Sequence, residues 1–534
     1  MEKDVKKFLF ETIRKDTSSY ITNTLGKVWL LYGYISILSV ISTIVKKIMT
    51  ERFNNHTPRV LIATENILVS NAFLLYGLLT NTYIVIISSK TMRSYKQISN
   101  LINVSDINIV IYDASEYWQS FFITLKHKVA LIDSEYLLSN DRNKNFVTLS
   151  FGALLQVKEE DNPIGMSAMS SGSTSGEMLY HLPYDMVYEQ MMNFTSFYKE
   201  RTETTFAIIG KWNQLFGYFA LFPLFYAHLG SYIKVGHRFY FYSEAQKLRD
   251  EISNFSFDFS IIMFSNELRK IWDKVLLETN KNKLVFKLNK YGWVKRIINL
   301  FTARRLESFF RKRANSIHIV NDDLGKDVKD VLRISKIVFT SSYGTLETAN
   351  FIAYKNNLLF TDSKYLNLSG GLLPSSNTNK YKYILYNEKE SDEGILHLVS
   401  ENKVINTHDQ CCFIDEVMYS ETNEIFLCFL DKEEHCLSDI PMLSCGEEIR
   451  HGIRDSLLIK DIVIYKKNGN IYLLIEPRKE LIDLQLISYL SFIEFAKELK
   501  EELNGFLPMP IKAHAVLHFN RFRTESGRLI MHLL

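Results

Sequence analysis

Arg59-Val60-Leu61-Ile62-Ala63 is a short, almost wholly apolar run of strand length, and the alternation of runs and helices that it begins decides the fold. A helix-like stretch from Val69 to Leu79 leads to a second apolar run, Tyr83 to Ile87. A helical segment near Tyr95–Leu101 then leads to a third, Ile107 to Tyr112. Strands that are apolar throughout, rather than alternating, are buried on both faces, and helices placed between them supply the crossovers that parallel strands need. The pattern recurs at Thr205–Ile209, Tyr232–Val235, Phe259–Phe264, Ile317–Val320 and Ile337–Thr340. Upstream, residues 28–50 read as one long helix. The expected class is α/β, with a large N-terminal domain of mostly parallel sheets flanked by helices.

The far end has another pattern. Asp461–Tyr465 and Ile471–Ile475 flank an Asn468-Gly469 turn and predict a hairpin. A helix around Ser488–Glu502 and a strand near Ala513–Phe519 complete a small α+β unit. The boundary falls near residues 430–440, so the expected domains are 1–430 and 431–534. A chain of 534 residues is too long for one ordinary core, which agrees with such a division.

Composition narrows the function classes. With 46% hydrophobic and 23% charged residues the chain is globular rather than disordered. A net charge of +3 makes no electrostatic case for nucleic acid or an anionic membrane as main partner. All five cysteines lie between Cys411 and Cys445 without a C-x-x-C pair. They read as reduced thiols of a cytoplasmic protein rather than as a metal site with His408 and His435. Met1-Glu2-Lys3-Asp4 lacks the pattern of a secretory signal. Two uncharged runs, Val28–Val45 and Trp212–Ile233, approach the ~20 residues of a spanning helix. Gly33 and several hydroxyls interrupt the first, and Asn213, Gln214, Pro223 and His228 the second, so buried helices explain both more simply than membrane insertion.

Three loops carry chemistry. Met169-Ser170-Ser171-Gly172-Ser173-Thr174-Ser175-Gly176-Glu177 surrounds two glycines with small and hydroxyl residues. Such a loop lets backbone N–H groups approach phosphate oxygens, although the Lys-Ser or Lys-Thr of a Walker loop is absent after its second glycine. A plain surface loop has the same composition. Ser341-Ser342-Tyr343-Gly344-Thr345-Leu346-Glu347 comes directly after a strand, at the carboxyl end where α/β proteins place ligands. It offers an aromatic ring, a close-approach glycine and a carboxylate, and it also reads as an ordinary strand-to-helix turn. Phe522-Arg523-Thr524-Glu525-Ser526-Gly527-Arg528-Leu529 is a cationic loop that alone would pass for a solvated terminus.

Their order resembles that of the adenylate-forming superfamily of acyl- and aryl-CoA synthetases and peptide-synthetase adenylation domains. That family carries a Ser/Thr/Gly phosphate loop, then Tyr-Gly-x-Thr-Glu, then Thr-Gly-Asp, then Pro-Arg-Thr-x-Ser-Gly-Lys. Here Thr407-His408-Asp409 stands at the third place, Gly217 matches a glycine of the family's aromatic segment, and Gly446-x-x-Ile449-x-x-Gly452 resembles its first C-terminal motif. The departures bear on activity. Met178-Leu179 replaces Pro-Lys, Gln214 the aromatic segment's histidine, Leu346 a threonine, His408 a glycine, Phe522 a proline, and Arg528 the catalytic lysine.

The resemblance implies an AMP-forming acid–thiol ligase with ATP and Mg²⁺. Ser171, Gly172, Ser173, Thr174 and Gly176 would cradle phosphates, Tyr343 and Gly344 would face the adenine, and Glu347 would help hold Mg²⁺. Asp409 would accept ribose hydroxyls at a cleft rather than in the core. Arg528, on a small mobile C-terminal domain, would neutralise developing charge. Gln214, Gly217 and Tyr218 would line the pocket for a carboxylic acid, apolar or aromatic by its neighbours. The acceptor would be the thiol of CoA or of phosphopantetheine on an acyl carrier protein. The alternative the departures imply is a degenerate relative that binds nucleotide or a partner without ligating. A third reading is a membrane-associated protein whose uncharged runs insert in lipid.

Overall fold

The short apolar runs at 59–63, 83–86, 109–112, 205–209 and 259–264 all become strands. The computed structural model describes residues 3–15, 19–22, 28–30, 33–64, 66–87, 95–113, 122–139, 150–154, 165–169, 179–199, 204–210, 237–280, 292–320, 326–344, 353–356, 368–372, 382–386, 393–400, 403–414, 426–432, 436–437, 440–441, 458–467, 470–483, 486, 488–504 and 511–515. The chain divides into two compact units: 1–172 with 177–248 and 345–351, and 173–176 with 249–344 and 352–534.

The first unit begins with α1 (Lys3–Lys15), β1 (Tyr20–Thr22), β2 (Val28–Leu30) and α2 (Gly33–Arg52). Then come β3 (Arg59–Ala63), α3 (Ile67–Thr80), β4 (Tyr83–Ile86), α4 (Tyr95–Val104), β5 (Ile109–Tyr112), β6 (Ala130–Asp133) and α5 (Ser134–Ser139). It closes with β7 (Gly165–Met169), β8 (Leu179–Pro183), α6 (Tyr184–Lys199), β9 (Thr205–Ile209) and β10 (Arg238–Tyr242). One sheet runs β6-β5-β3-β4-β7-β8, parallel except for the last pair. Elsewhere β9, β10 and β1 are parallel neighbours, with β2 antiparallel on β1.

Residues 28–50 therefore do not form one helix. Val28–Leu30 pairs with β1, Tyr20 opposite Leu30, and the helix begins at Gly33. A Val-Trp-Leu run suits either state, and the partner strand decides. α2 is the one helix among the described residues long and apolar enough to cross a membrane by length and composition. It buries Tyr34, Ile37, Leu38, Ile41, Val45 and Met49 and packs on α1, α3 and α5. The second uncharged run, Trp212–Ile233, and the expected strand Tyr232–Val235 lie outside the described residues.

α3 is buried at every position from Ile67 to Thr80, as a helix apolar on all sides must be. Its ends are held by side chains. Asn66 Oδ1 accepts from the Leu68 N–H at 3.2 Å, and Asn81 closes the helix at φ 66°. The buried Lys6 of α1 donates to Asn81 Oδ1. Inside this helix Gly77 gives up helix propensity for space, because a Cβ there would collide with Tyr184 Oη and Ile84 Cδ1. Tyr184 uses that gap to donate to the Thr82 carbonyl at 2.7 Å.

The second unit starts with β11 (Phe259–Phe264), α7 (Ser265–Asn280), α8 (Gly292–Phe309), β12 (Ala314–Val320), α9 (Lys326–Ile334) and β13 (Val338–Tyr343). Next come β14 (Ala353–Asn356), β15 (Leu368–Leu372), β16 (Lys382–Tyr386), β17 (Glu393–Ser400), β18 (Lys403–Ile414) and β19 (Phe426–Lys432). β11, β12 and β13 are parallel neighbours. From β13 the order continues β14-β15-β19-β18-β17-β16, antiparallel throughout. Cys411 of β18 is fully buried.

Beyond the short pair β20 (Cys436–Leu437) and β21 (Ile440–Pro441), the expected hairpin forms: β22 (Ile459–Lys467) pairs with β23 (Asn470–Pro477), leaving Asn468-Gly469 between Lys467 and Asn470. After α10 (Lys479–Asp483) and α11 (Tyr489–Asn504), β24 (Ile511–Ala515) adds parallel to β23. Arg478, 6% exposed, pairs with Asp273 of α7, a tie reaching 205 residues back along the chain.

Gly77→Ala should lower the unfolding free energy by about 1–3 kcal/mol through overpacking, against the ~1 kcal/mol by which alanine favours an open helix. Tyr184→Phe should cost ~1–3 kcal/mol by removing the donor to the Thr82 carbonyl. Urea denaturation of both variants checks this; a Gly77→Ala variant as stable as the parent would show that Tyr184 does not need that gap.

Candidate functional site

The parallel register of β11, β12 and β13 lines up polar side chains inside an otherwise apolar sheet. Ser260 stands beside Ser316 and His318 beside Thr340. Ser316 Oγ donates to Ser260 Oγ at 3.1 Å. The His318 ring shares hydrogen bonds with two hydroxyls of β13: Nδ1 with Thr340 Oγ1 and Nε2 with Ser342 Oγ, both 2.9 Å. A neutral imidazole has one donor and one acceptor nitrogen, and a hydroxyl serves either, so the set satisfies itself without charge. It needs to, since His318, Thr340 and Ser342 are all buried.

These bonds hold the end of β13, and there Tyr343 and the buried Gly344 stand. The expected loop of Ser341 to Glu347 is partly strand: β13 continues through Tyr343, which pairs with Ala353 of β14. Ser341 and Ser342 are drawn into the sheet because β12 and β14 satisfy their backbone groups on both sides. His318 was missed in the sequence. Its signal was the period-two spacing of Ser316 with His318 and of Thr340 with Ser342, which places each pair on one face of a strand.

Thr407 and Asp409 lie on β18. Thr407 Oγ1 donates to the Leu396 carbonyl of β17 at 2.8 Å and accepts from the Asp409 N–H at 3.2 Å. Asp409, expected at a cleft, is 1% exposed and sits opposite Lys432 of β19. Tyr343 and Asp409 share one sheet with β14, β15 and β19 between their strands, roughly 19 Å along a flat sheet. Ser171, Gly172, Ser173, Thr174, Gly176, Gln214, Gly217, Tyr218, Glu347 and Arg528 lie outside the described residues.

A further polar group, unforeseen in the sequence, joins three carboxyl strand ends of the first unit. The Thr64 and Ser134 hydroxyls both donate to Asp113 Oδ1, the latter at 2.7 Å. Thr64 Oγ1 also accepts from the Asn66 N–H at 3.0 Å, which seats the cap of α3. Beside it, burial first and the Asp133 carboxylate second push the Tyr112 hydroxyl pKa up. Among the described residues no group of three or more His, Cys, Asp or Glu side chains is placed to hold a metal ion.

No protein-family model matches the sequence, and no curated protein matches it. Solved structures match along nearly the whole chain. ATP-bound MatB from Rhodopseudomonas palustris superposes with a TM-score of 0.68 at 11% identity, covering 99% of this chain and 98% of that one. O-succinylbenzoate coenzyme A synthetase from Bacillus subtilis, in complex with ATP and magnesium, gives 0.66 at 11% identity over 99% of both chains. A benzoate CoA ligase from Burkholderia xenovorans gives 0.65 at 10% identity, again over 99% of both. These neighbours are adenylate-forming enzymes, and the chain has their fold. At such identities the likeness is one of fold.

His318→Leu should cost ~1–3 kcal/mol, because two buried hydroxyls lose their partner. Combining it with Thr340→Val and Ser342→Ala should cost less than the single change, since no polar group is then stranded. Denaturant midpoints of the single and triple variants decide the matter; costs that simply add would mean that His318 does not bind these hydroxyls.

Proposed function

We propose that the chain is an AMP-forming acid–thiol ligase. What supports this most is a coincidence: four weak motifs occur in the order of the adenylate-forming family, in a chain whose fold spans 98–99% of acyl- and aryl-CoA ligases. A carboxylate attacks the α-phosphorus of ATP, pyrophosphate leaves, and an acyl-adenylate forms. A pantetheine thiol then attacks the acyl carbon and AMP departs.

Each motif residue takes one role in this reaction. Backbone and hydroxyl groups of Ser171, Gly172, Ser173, Thr174 and Gly176 hold the phosphates. Tyr343 and Gly344 meet the adenine from the strand end tied down by His318, and Asp409 accepts the ribose hydroxyls. Gln214, Gly217 and Tyr218 line the acid pocket. Arg528 neutralises charge developing between carboxylate and phosphate. Glu347 suits Mg²⁺: the ion is commonly held by one or two carboxylates together with substrate phosphates rather than by an all-protein cage. Bound there, it screens the phosphate charge. Residues 431–534 form the lid that brings Arg528 in, and the protein works in the cytoplasm on an apolar or aromatic acid, with CoA or a carrier protein as acceptor.

A second reading rests on a specific substitution. Arginine keeps the charge of the family's lysine but is planar and bulkier, and a misplacement of about 1 Å can cost on the order of a hundredfold in rate. The chain would then bind nucleotide without ligating.

Melting with MgATP comes first: at about a hundredfold excess over Kd the stabilisation should be ~2.7 kcal/mol. Asp409→Ala should reduce that shift, and Glu347→Gln should remove its metal dependence. Carboxylate-dependent pyrophosphate exchange, screened over an acid library, should be kept or raised in Arg528→Lys and fall sharply in Arg528→Ala with ATP binding unchanged. No melting shift at millimolar nucleotide would sink both readings. Exchange seen only after Arg528→Lys would select the second.

A further inference from the structure

The net charge of +3 conceals one concentrated surface. From Gly292 to Arg313 the chain has seven Lys and Arg residues against a single acid, Glu307, a net +6. α8 carries most of it. Its inner face, Ile298, Thr302, Ala303 and Leu306, is buried, and it packs on α7 and α9. At about 100° per residue the opposite face holds Ile297, Leu300, Phe301 and Arg304. The three apolar side chains are 45%, 40% and 52% exposed. Arg296 and Arg305 flank them, also exposed, and Arg311 and Lys312 extend the positive surface past the helix end. Among the described residues none of Arg296, Arg304 and Arg305 joins an ion pair. Glu307 is already engaged, accepting the Lys336 N–H at 2.7 Å.

We infer that this face of α8 docks on an anionic lipid surface. Exposed aliphatic and aromatic groups in the centre with guanidinium groups around them are what an interfacial helix presents: the apolar groups enter the headgroup–acyl boundary and the cations stay among the phosphates. Other occupants fit less well. A second copy on the same patch would set Arg296, Arg304 and Arg305 against their own like charges. Nucleic acid would answer the charge but leave Ile297 and Leu300 uncovered. The attachment is reversible, because three apolar side chains are a small anchor and each cation near the surface contributes only about a fivefold gain in partitioning. The inference concerns a surface and does not rest on the reaction proposed above.

The intact protein is sedimented with phosphatidylcholine vesicles, with and without about 30% phosphatidylglycerol, at ~0.1 M salt. Binding is expected only with the anionic lipid, and to weaken as salt rises. Arg304→Glu with Arg305→Glu should weaken it at least about tenfold. Ile297→Ser with Phe301→Ser should do the same at unchanged charge, again about tenfold or more. All four positions are exposed, and circular dichroism confirms that the variants remain folded. Failure to bind anionic vesicles, or equal binding to neutral ones, overturns the inference. So does binding that depends on the arginines but not on Ile297 and Phe301, or an equally tight complex with a single-stranded oligonucleotide, since either reduces the face to a polyanion site.

Discussion

A parallel strand cannot be joined to its neighbour by a tight turn, and this constraint organises the chain. Between β3 and β4 the connection must travel the length of the sheet and return, and α3 makes that journey entirely within the core. Because both faces of such a sheet are covered, its strands are apolar throughout, and what polar chemistry the fold can offer collects at their carboxyl ends. The Thr64–Asp113–Ser134 group lies at three such ends in the first unit, and Tyr343-Gly344 lies at another in the second.

Polar groups inside this scaffold act as fixings. His318 clasps two hydroxyls of β13, Thr407 bridges β17 to the backbone of Asp409, and Arg478 reaches Asp273. Each would be costly if half satisfied, so each specifies one arrangement of its strands or helices. A buried ion pair adds little net stability, but removing one partner costs much. The Arg478–Asp273 pair therefore serves best as a marker of how β23 and α7 are registered.

Charge tells a different story at different scales. The whole-chain balance argued against an anionic surface as a partner, and it holds as an average. Seven cations on and just beyond one helix escaped it, because electrostatics acts over about 10 Å at ordinary salt and not over a whole sequence.

Local pattern alone determined much of this protein: the apolar runs at 59–63, 83–87, 205–209 and 259–264, the helices between them, the hairpin around Asn468-Gly469, and the order of the motif residues Tyr343, Gly344 and Asp409. Those readings succeed because burial on both faces and turn chemistry are written in neighbouring residues. Tertiary structure alone decided the rest. Val28–Leu30 is a strand because β1 lies beside it, and β13 runs on to Tyr343 because β14 pairs with it. Asp409 is buried on a strand that runs between β17 and β19. His318 meets Thr340 and Ser342, 22 and 24 residues away, only because the parallel register sets them side by side. Those outcomes depend on partners distant in the chain, and a hydrogen bond or a burial that two distant segments make together is a property of neither segment alone.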